Sequence, residues 1–266
     1  MSALVLVFAA SWWALRGPAP AKASSPASPA AAATDEPARL KVSVLSVRPH
    51  DRQAYTQGLL IEGGALYEST GLYGQSSLRQ LDPKTGEVKR RLNLPQSFFA
   101  EGIALVGDKL VQLTWQEGSA FVYSLAGFER TAEHRYRGEG WGLCYDGRRL
   151  VMSDGSDQLT FRDPQTFAIL GNVRVTLAGD PIHQLNELEC VEGAVYANVW
   201  QTNDILRIDP STGKVTAVID ASGLLSASEQ DNAEVLNGIA YDPAAGTFLI
   251  TGKLWPKMFE VKFVPR

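Results

Sequence analysis

The sequence predicts an all-β fold, a five-bladed β-propeller of four-stranded antiparallel blades, and three observations predict it. A short motif recurs five times, as Gln57-Gly58-Leu59, Glu101-Gly102-Ile103, Trp141-Gly142-Leu143, Asn186-Glu187-Leu188 and Asn237-Gly238-Ile239, with its middle residues 40 to 51 positions apart. An apolar strand begins eight residues after that middle residue in four repeats, at Leu66, Leu110, Leu150 and Val195, and ten after it in the fifth, at Phe248. Between the two lies a hairpin signal, Gly63-Gly64, Gly107-Asp108, Asp146-Gly147, Glu192-Gly193 or the longer Ala244-Ala245-Gly246, which supplies the positive φ that tight hairpins demand. Self-similarity at this period means stacked or radially arranged units, and four short strands per ~45 residues is the signature of a propeller blade.

The elements follow in order. A strand without a repeat partner, LKVSVLSV from Leu40, precedes the first motif. Later in the repeats, LDPKTGEV from Leu81, RDPQTFAIL from Arg162 and IDPSTGKV from Ile208 each read as strand, Asp-Pro turn, strand. The second repeat keeps a looser version, YSLAGFER from Tyr123, and the fifth runs out after MFEVKFV at its third strand. The N-terminal strand is therefore expected to complete the last blade, which removes an open sheet edge. No segment keeps apolar residues at helical spacing, so helical repeats are excluded; a β-sandwich or solenoid is the alternative.

Five blades use about 225 residues at ~45 each, so residues 40–266 are expected to form one propeller domain. The chain is 45% hydrophobic with a net charge of −4, a balance that argues against nucleic acid, whose binders carry basic patches. Ala3 to Leu15 is an apolar run too short to span a membrane, and Ala21-Lys22-Ala23 fits a small-residue cleavage site. Residues 1–23 read as a signal peptide or, since a basic leader is missing, a retained anchor; 24–39 read as a Ser/Pro/Ala-rich linker. The destination is periplasmic or secreted, with no membrane contact beyond the N-terminal segment, and the protein is expected to be a monomer. Cys144 and Cys190 lie two and three residues past their motif centres. Strand alternation points them to opposite blade faces, and buried thiols rather than a disulfide are expected. His50, His134 and His183 show no ligand spacing.

The repeat also locates chemistry. Gln57, Glu101, Trp141, Asn186 and Asn237 precede the motif centres, while Gly71, Trp115, Gly155, Trp200 and Lys253 end the second strands. A hairpin returns to the edge it left, so both sets lie at one end of every blade and together rim one mouth of the ring. A packing repeat needs one residue type per register position. Three tryptophans beside an acid, a base and three amides make instead the composition of a small-ligand pocket.

The motifs YTQGL, YESTGLYGQSSLR, FAEGI, LTW, GEGWGL, SDGS, LNELE, VYANVW, LNGIAYD and TGKLWPKMFEV resemble the plant and bacterial type of glutaminyl-peptide cyclotransferase over essentially all of residues 40–263. The resemblance implies a five-bladed propeller that converts N-terminal Gln of peptides and proteins to pyroglutamate with release of ammonia, without a catalytic metal. It implies Glu101 and Lys253 as catalytic residues and Gln57, Trp115, Trp141, Asn186 and Trp200 as the substrate-binding set. Tyr55 opens the first motif where Phe is commoner in the family, keeping an aromatic.

The reaction is an intramolecular aminolysis, in which Glu101 is the candidate acid and base, its pKa raised by the indoles around it. Lys253 is expected farther out, as a donor to the oxyanion or a peptide carbonyl. No cofactor is required on this reading. Asp154, Glu139 and Glu187 near the mouth leave a structural Ca2+ in the channel open, against an ordinary Asx turn at Asp154 and Asp157. Two other functions fit a propeller mouth: a non-enzymatic module binding a peptide or sugar, and a Ca-dependent lactonase-like hydrolase. The first has no use for Glu101 and Lys253 together, and the second wants more acidic ligands than this mouth offers.

Overall fold

The computed structural model describes residues 36–266, together with Met1. The expected signal peptide and nearly all of the expected linker lie outside the described residues. The folded unit, Asp35–Arg266, is all-β. It opens with β1 (Ala38–Pro49), two residues before the expected start. A first antiparallel sheet follows, of β2 (Thr56–Glu62), β3 (Ala65–Thr70), β4 (Ser77–Leu81) and β5 (Val88–Asn93). The second holds β6 (Ala100–Val106), β7 (Lys109–Thr114), β8 (Ser119–Ser124) and β9 (Arg130–Arg135). The third holds β10 (Leu143–Tyr145), β11 (Leu150–Met152), β12 (Gln158–Arg162) and β13 (Ile169–Arg174), with a two-residue hairpin, β14 (Thr176–Leu177) and β15 (Asp180–Pro181), after it.

The last two repeats differ. They contribute β16 (Leu185–Val191), β17 (Ala194–Val199), β18 (Asp204–Ile208) and β19 (Val215–Asp220), then β20 (Leu236–Asp242), β21 (Thr247–Gly252) and β22 (Lys257–Pro265). As the sequence predicts, β1 is the fourth strand beside β22, antiparallel from Leu40↔Pro265 to Pro49↔Lys257. Its first residues, Ala38–Lys41, also pair in parallel with Ala217–Asp220 of β19, so the last two sets form one eight-stranded sheet. That second pairing has no signal in the repeat, because β1 lies outside it.

Local chemistry accounts for the strand ends. Gly63 and Gly64 (φ 57° and 76°) and Glu192 and Gly193 (φ 48° and 81°) supply the positive φ of their hairpins. In the Asp-Pro turns the carboxylates of Asp82, Asp163 and Asp209 accept backbone N–H groups two residues on.

The motif-centre glycines have a different reason. A Cβ on Gly58 would lie 2.6 Å from the Ile103 nitrogen, and one on Gly102 2.6 Å from that of Leu143. Neighbouring first strands therefore approach backbone to backbone, and only Gly fits between them. The fourth repeat has Glu187 instead, whose buried carboxyl reaches across to accept the N–H groups of Leu59 (3.2 Å) and Ile239 (2.8 Å).

First strands touch in the order β2, β6, β10, β16, β20, and β20 touches β2 again. Hydrophobic clusters fill every gap between successive strand sets, and the fifth, with Leu59, Leu66 and Leu81 against Ala240, Leu249 and Met258, joins the last set to the first. Across that same seam a buried polar cluster forms. His50 contacts Glu68 at 2.9 Å and the Trp255 carbonyl at 2.8 Å, while Arg79 reaches both Glu68 (3.2 Å) and Asp51 (2.7 Å).

Cys144 and Cys190 are joined in a disulfide with a Cα–Cα separation of 5.5 Å, within the usual range, which overturns the expectation of free thiols. Pointing to opposite faces brings the two cysteines together rather than apart. Successive sheets meet through opposite faces, so residues pointing to opposite faces of adjacent sheets face one another. Both cysteines sit in the cluster between the third and fourth strand sets.

Stability is expected to fall as pH rises. Burial pushes Glu187 well above the ordinary carboxylate range and Glu189, which accepts the Tyr241 N–H at 2.9 Å, up to about 8. Folded protein thus holds protons that unfolded chain has released, and stability present below the ordinary carboxylate pKa is lost on the way to about pH 8. Denaturation midpoints across pH 4.5–8.5 check this, and Glu189→Gln should flatten the slope; an unchanged slope would contradict it.

Candidate active site

Four of the five first strands begin with a β-bulge. Strand register shifts between Thr56 and Gly58, Ala100 and Ile103, Leu185 and Leu188, and Leu236 and Ile239. The residues at the irregularity include Gln57, Glu101, Asn186 and Asn237, those the repeat singles out. A bulge re-aims a side chain and is common beside active sites. In the third repeat Trp141 precedes β10 and is held by its N–H on the Ser153 carbonyl at 3.0 Å. The second-strand ends are pinned alike: Gly71, Trp115, Trp200 and Lys253 donate N–H to the carbonyls of Tyr55, Phe99, Gln184 and Val235 at 2.8–3.0 Å.

A cavity of about 260 Å3 collects all seven predicted site residues, Gln57, Glu101, Trp115, Trp141, Asn186, Trp200 and Lys253, and adds Tyr55 and Phe99. The remaining register positions support it. Gly71 leaves room for the Phe99 ring, and a Cβ on Gly155 would meet Trp141 at 2.7 Å. Asn237 lies one step behind the cavity, donating to the Thr56 carbonyl (2.9 Å) and to Gln57 Oε1 (3.1 Å). That turns Gln57 Nε2 toward Glu101 Oε1, 2.8 Å away.

Glu101 is buried, and among the described residues its Oε2 has no hydrogen-bond partner, nor does Asn186 Oδ1. Unpaired buried acceptors are costly, and both belong to residues that line the cavity. Burial raises Glu101 well above the ordinary carboxylate range, Lys253 opposes that, and Glu139 and Glu117 add to it. Burial lowers Lys253 while Glu101 and Glu234 hold it up. Lys253 is thus electrostatically coupled to Glu101, with no ion pair between the two among those of the described residues. Its ammonium sits over the Tyr55 ring, 4.7 Å from the centroid, a cation–π contact that keeps it out of a direct ion pair.

Glu139 holds the aromatic wall. Its Oε2 accepts the indole N–H of both Trp115 (2.7 Å) and Trp141 (2.9 Å), and Oε1 accepts from Gln116 (2.8 Å). Trp141 meets Trp200 edge-on at 5.8 Å, and Phe99 packs against Trp115 at 5.6 Å. Replacing Glu139 by Ala is expected to raise KM about tenfold while changing kcat less, since it frees two walls and leaves Glu101 and Lys253 in place. An unchanged KM in steady-state kinetics would contradict that role.

Of the acids considered for Ca2+, Asp154 accepts from Ser156 N–H and Oγ in an Asx turn, as the alternative reading has it. Asp157 instead pairs with Arg174 at 3.1 Å. Glu139 and Glu187 spend their oxygens as described, and no group of three or more His, Cys, Asp or Glu among the described residues is placed to hold a metal.

Sequence reasoning missed Phe99 and the anchoring role of Glu139, yet a signal existed. Tyr55, Phe99 and Glu139 each stand two residues before Gln57, Glu101 and Trp141, a third register position on the same rim.

A desolvated acid and a partly desolvated amine between aromatic walls define the class: an enzyme site for acid–base chemistry on a small polar group. The model of the glutamine cyclotransferase family matches residues 19–263. A glutaminyl-peptide cyclotransferase of Arabidopsis thaliana is 40% identical over 228 residues, covering 84% of this chain and 71% of that one. The crystal structure of Myxococcus xanthus glutaminyl cyclase matches with a TM-score of 0.79 at 44% identity, covering 87% of this chain and 100% of that chain. The chain belongs to the glutamine cyclotransferase family.

Proposed function

We propose that this glutaminyl-peptide cyclotransferase closes the N-terminal Gln of peptides and proteins into pyroglutamate inside the aromatic cavity, with Glu101 carrying the proton. The observation that carries this reading is the convergence of the seven repeat-derived residues on one cavity in which the Glu101 carboxyl is desolvated and half unpartnered. The substrate's α-amine, with a pKa of about 7.7–8.0, attacks its own side-chain amide carbon. One C–N bond forms and, as the tetrahedral adduct collapses, the C–NH2 bond breaks. The proton lost by the attacking amine reaches the departing ammonia through Glu101, which ends as it began. A carboxyl with a pKa shifted toward neutrality suits both halves of that transfer. Curling the chain for ring closure supplies much of the rate, since well-oriented intramolecular reactions gain about 7–11 kcal/mol over bimolecular ones.

Lys253 donates to the oxyanion of the adduct. Gln57 and Asn186, each offering a donor and an acceptor, orient the amide and the amine, and Trp115, Trp141 and Trp200 enclose the aliphatic part. The scaffold is a five-bladed propeller closed by β1; the return contact of β20 on β2 and the fifth hydrophobic cluster support closure. The protein acts as a monomer, outside the cytoplasm in the periplasm or secreted. The Cys144–Cys190 disulfide favours an oxidising compartment.

No metal takes part in this scheme, and any Ca2+ has a structural role only. Full-length protein with a Gln-initiated dipeptide should release ammonia and form pyroglutamate at the same rate with and without EDTA. Loss of turnover on chelation, restored by a divalent ion, would overturn the metal-free scheme.

A further inference from the structure

The spacing between the fourth and fifth motif centres, 51 residues, is the longest in the chain. The extra length lies between β19 and β20, where Ala221–Val235 runs outside any strand and includes a 3₁₀ turn at Ala227–Asn232. It walls a groove of about 600 Å3 whose other side is Trp200 and the turn through Asn203, and whose lining includes Leu224, Gln230, Glu234 and Trp255. Trp200 also lines the catalytic cavity. The wall is tied to the catalytic machinery by backbone: Glu234 N–H donates to the Lys253 carbonyl (2.8 Å), and Lys253 N–H to that of Val235 (3.0 Å). Trp255 fixes it from below, its indole N–H on the Glu234 carbonyl at 2.8 Å.

The catalytic cavity, about 260 Å3, is smaller than the ~300–1,000 Å3 of pockets that enclose whole ligands. It has room for the reacting residue and not for the chain that follows, which must leave past one of its walls. We propose that the groove beyond Trp200 is the subsite for the residues after the N-terminal Gln of the substrate peptide. It binds them in extended form, through the side chains of Asn203 and Gln230 and the apolar surface of Leu224. Glu234 is the one charged residue among the described residues lining the groove, so basic residues are favoured there over acidic ones. The inference rests on the function proposed above and adds the direction in which the substrate lies.

The test uses full-length protein, a Gln-Gly dipeptide, and two pentapeptides beginning with Gln that carry Lys or Asp at the third position. The Lys pentapeptide should exceed both the dipeptide and the Asp pentapeptide in kcat/KM. The double variant Asn203→Ala/Gln230→Ala should lose about tenfold on the Lys pentapeptide, as expected for two lost hydrogen bonds, and stay within twofold on the dipeptide. The dipeptide rate doubles as the check that the variant is folded. Rates independent of length and charge, or equal losses on dipeptide and pentapeptide, would overturn the subsite. No ammonia from any substrate with wild-type protein would overturn the parent function, and the subsite with it.

Discussion

Glu101→Gln is expected to lower kcat for ammonia release about 100- to 10,000-fold, the range for removing a positioned general acid or base. The change keeps the volume of the side chain and an oxygen for Gln57 Nε2, which lies 2.8 Å from Glu101 Oε1. It removes the group that exchanges a proton. KM should therefore stay within a few-fold, and calorimetry should still detect binding of a Gln dipeptide. Tyr55, which also lines the cavity, is a poor substitute: burial first and the nearby Glu234 second push it well above its ordinary value. Glu139, half-buried behind the aromatic wall, is held low by the three donors it accepts. Turnover retained in the variant, with the cavity intact, would mean that the proton travels by another route.

Lys253→Met is expected to cost about 100- to 1,000-fold in kcat, as for loss of an oxyanion donor. Methionine keeps an apolar stem beside Tyr55, so packing is largely spared. A second readout separates the catalytic role from a structural one. Lys253 favours the ionised form of Glu101. Removing it raises the Glu101 pKa further, so the limb of the pH–rate profile that reports ionisation of this acid should move to higher pH. A variant with lowered rate and an unmoved profile would show that Lys253 acts apart from Glu101.

Much of this was legible in the sequence because the repeat is a ruler. Once the motif centres are aligned, the residue before each one and the residue ending each second strand must share one rim, and seven such residues do line one cavity. What the ruler cannot show is what crosses between repeats. The Cys144–Cys190 bond depends on which faces of adjacent sheets meet, and the parallel pairing of β1 with β19 involves a strand outside the period. Glu139 looked like a spare acid because its partners are two indoles, Trp115 and Trp141, a repeat apart and next door. Nor does the ruler show the coupling of Lys253 to Glu101, because pKa logic alone sets a cation apart from a raised acid. The molecule resolves this by burying both and seating the ammonium on Tyr55.

The proton-transfer account stands on the raised pKa of Glu101, and that can be measured directly. Carbon-13 NMR titration of the glutamate side-chain carboxyls, with Glu101→Gln to assign the resonance, follows that one group without substrate. The account predicts a resonance titrating well above the exposed glutamates and absent from the variant. A Glu101 carboxyl that titrates together with the exposed glutamates would contradict it, because a carboxylate of ordinary pKa is too weak a base to take the amine's proton and hold it for the leaving ammonia.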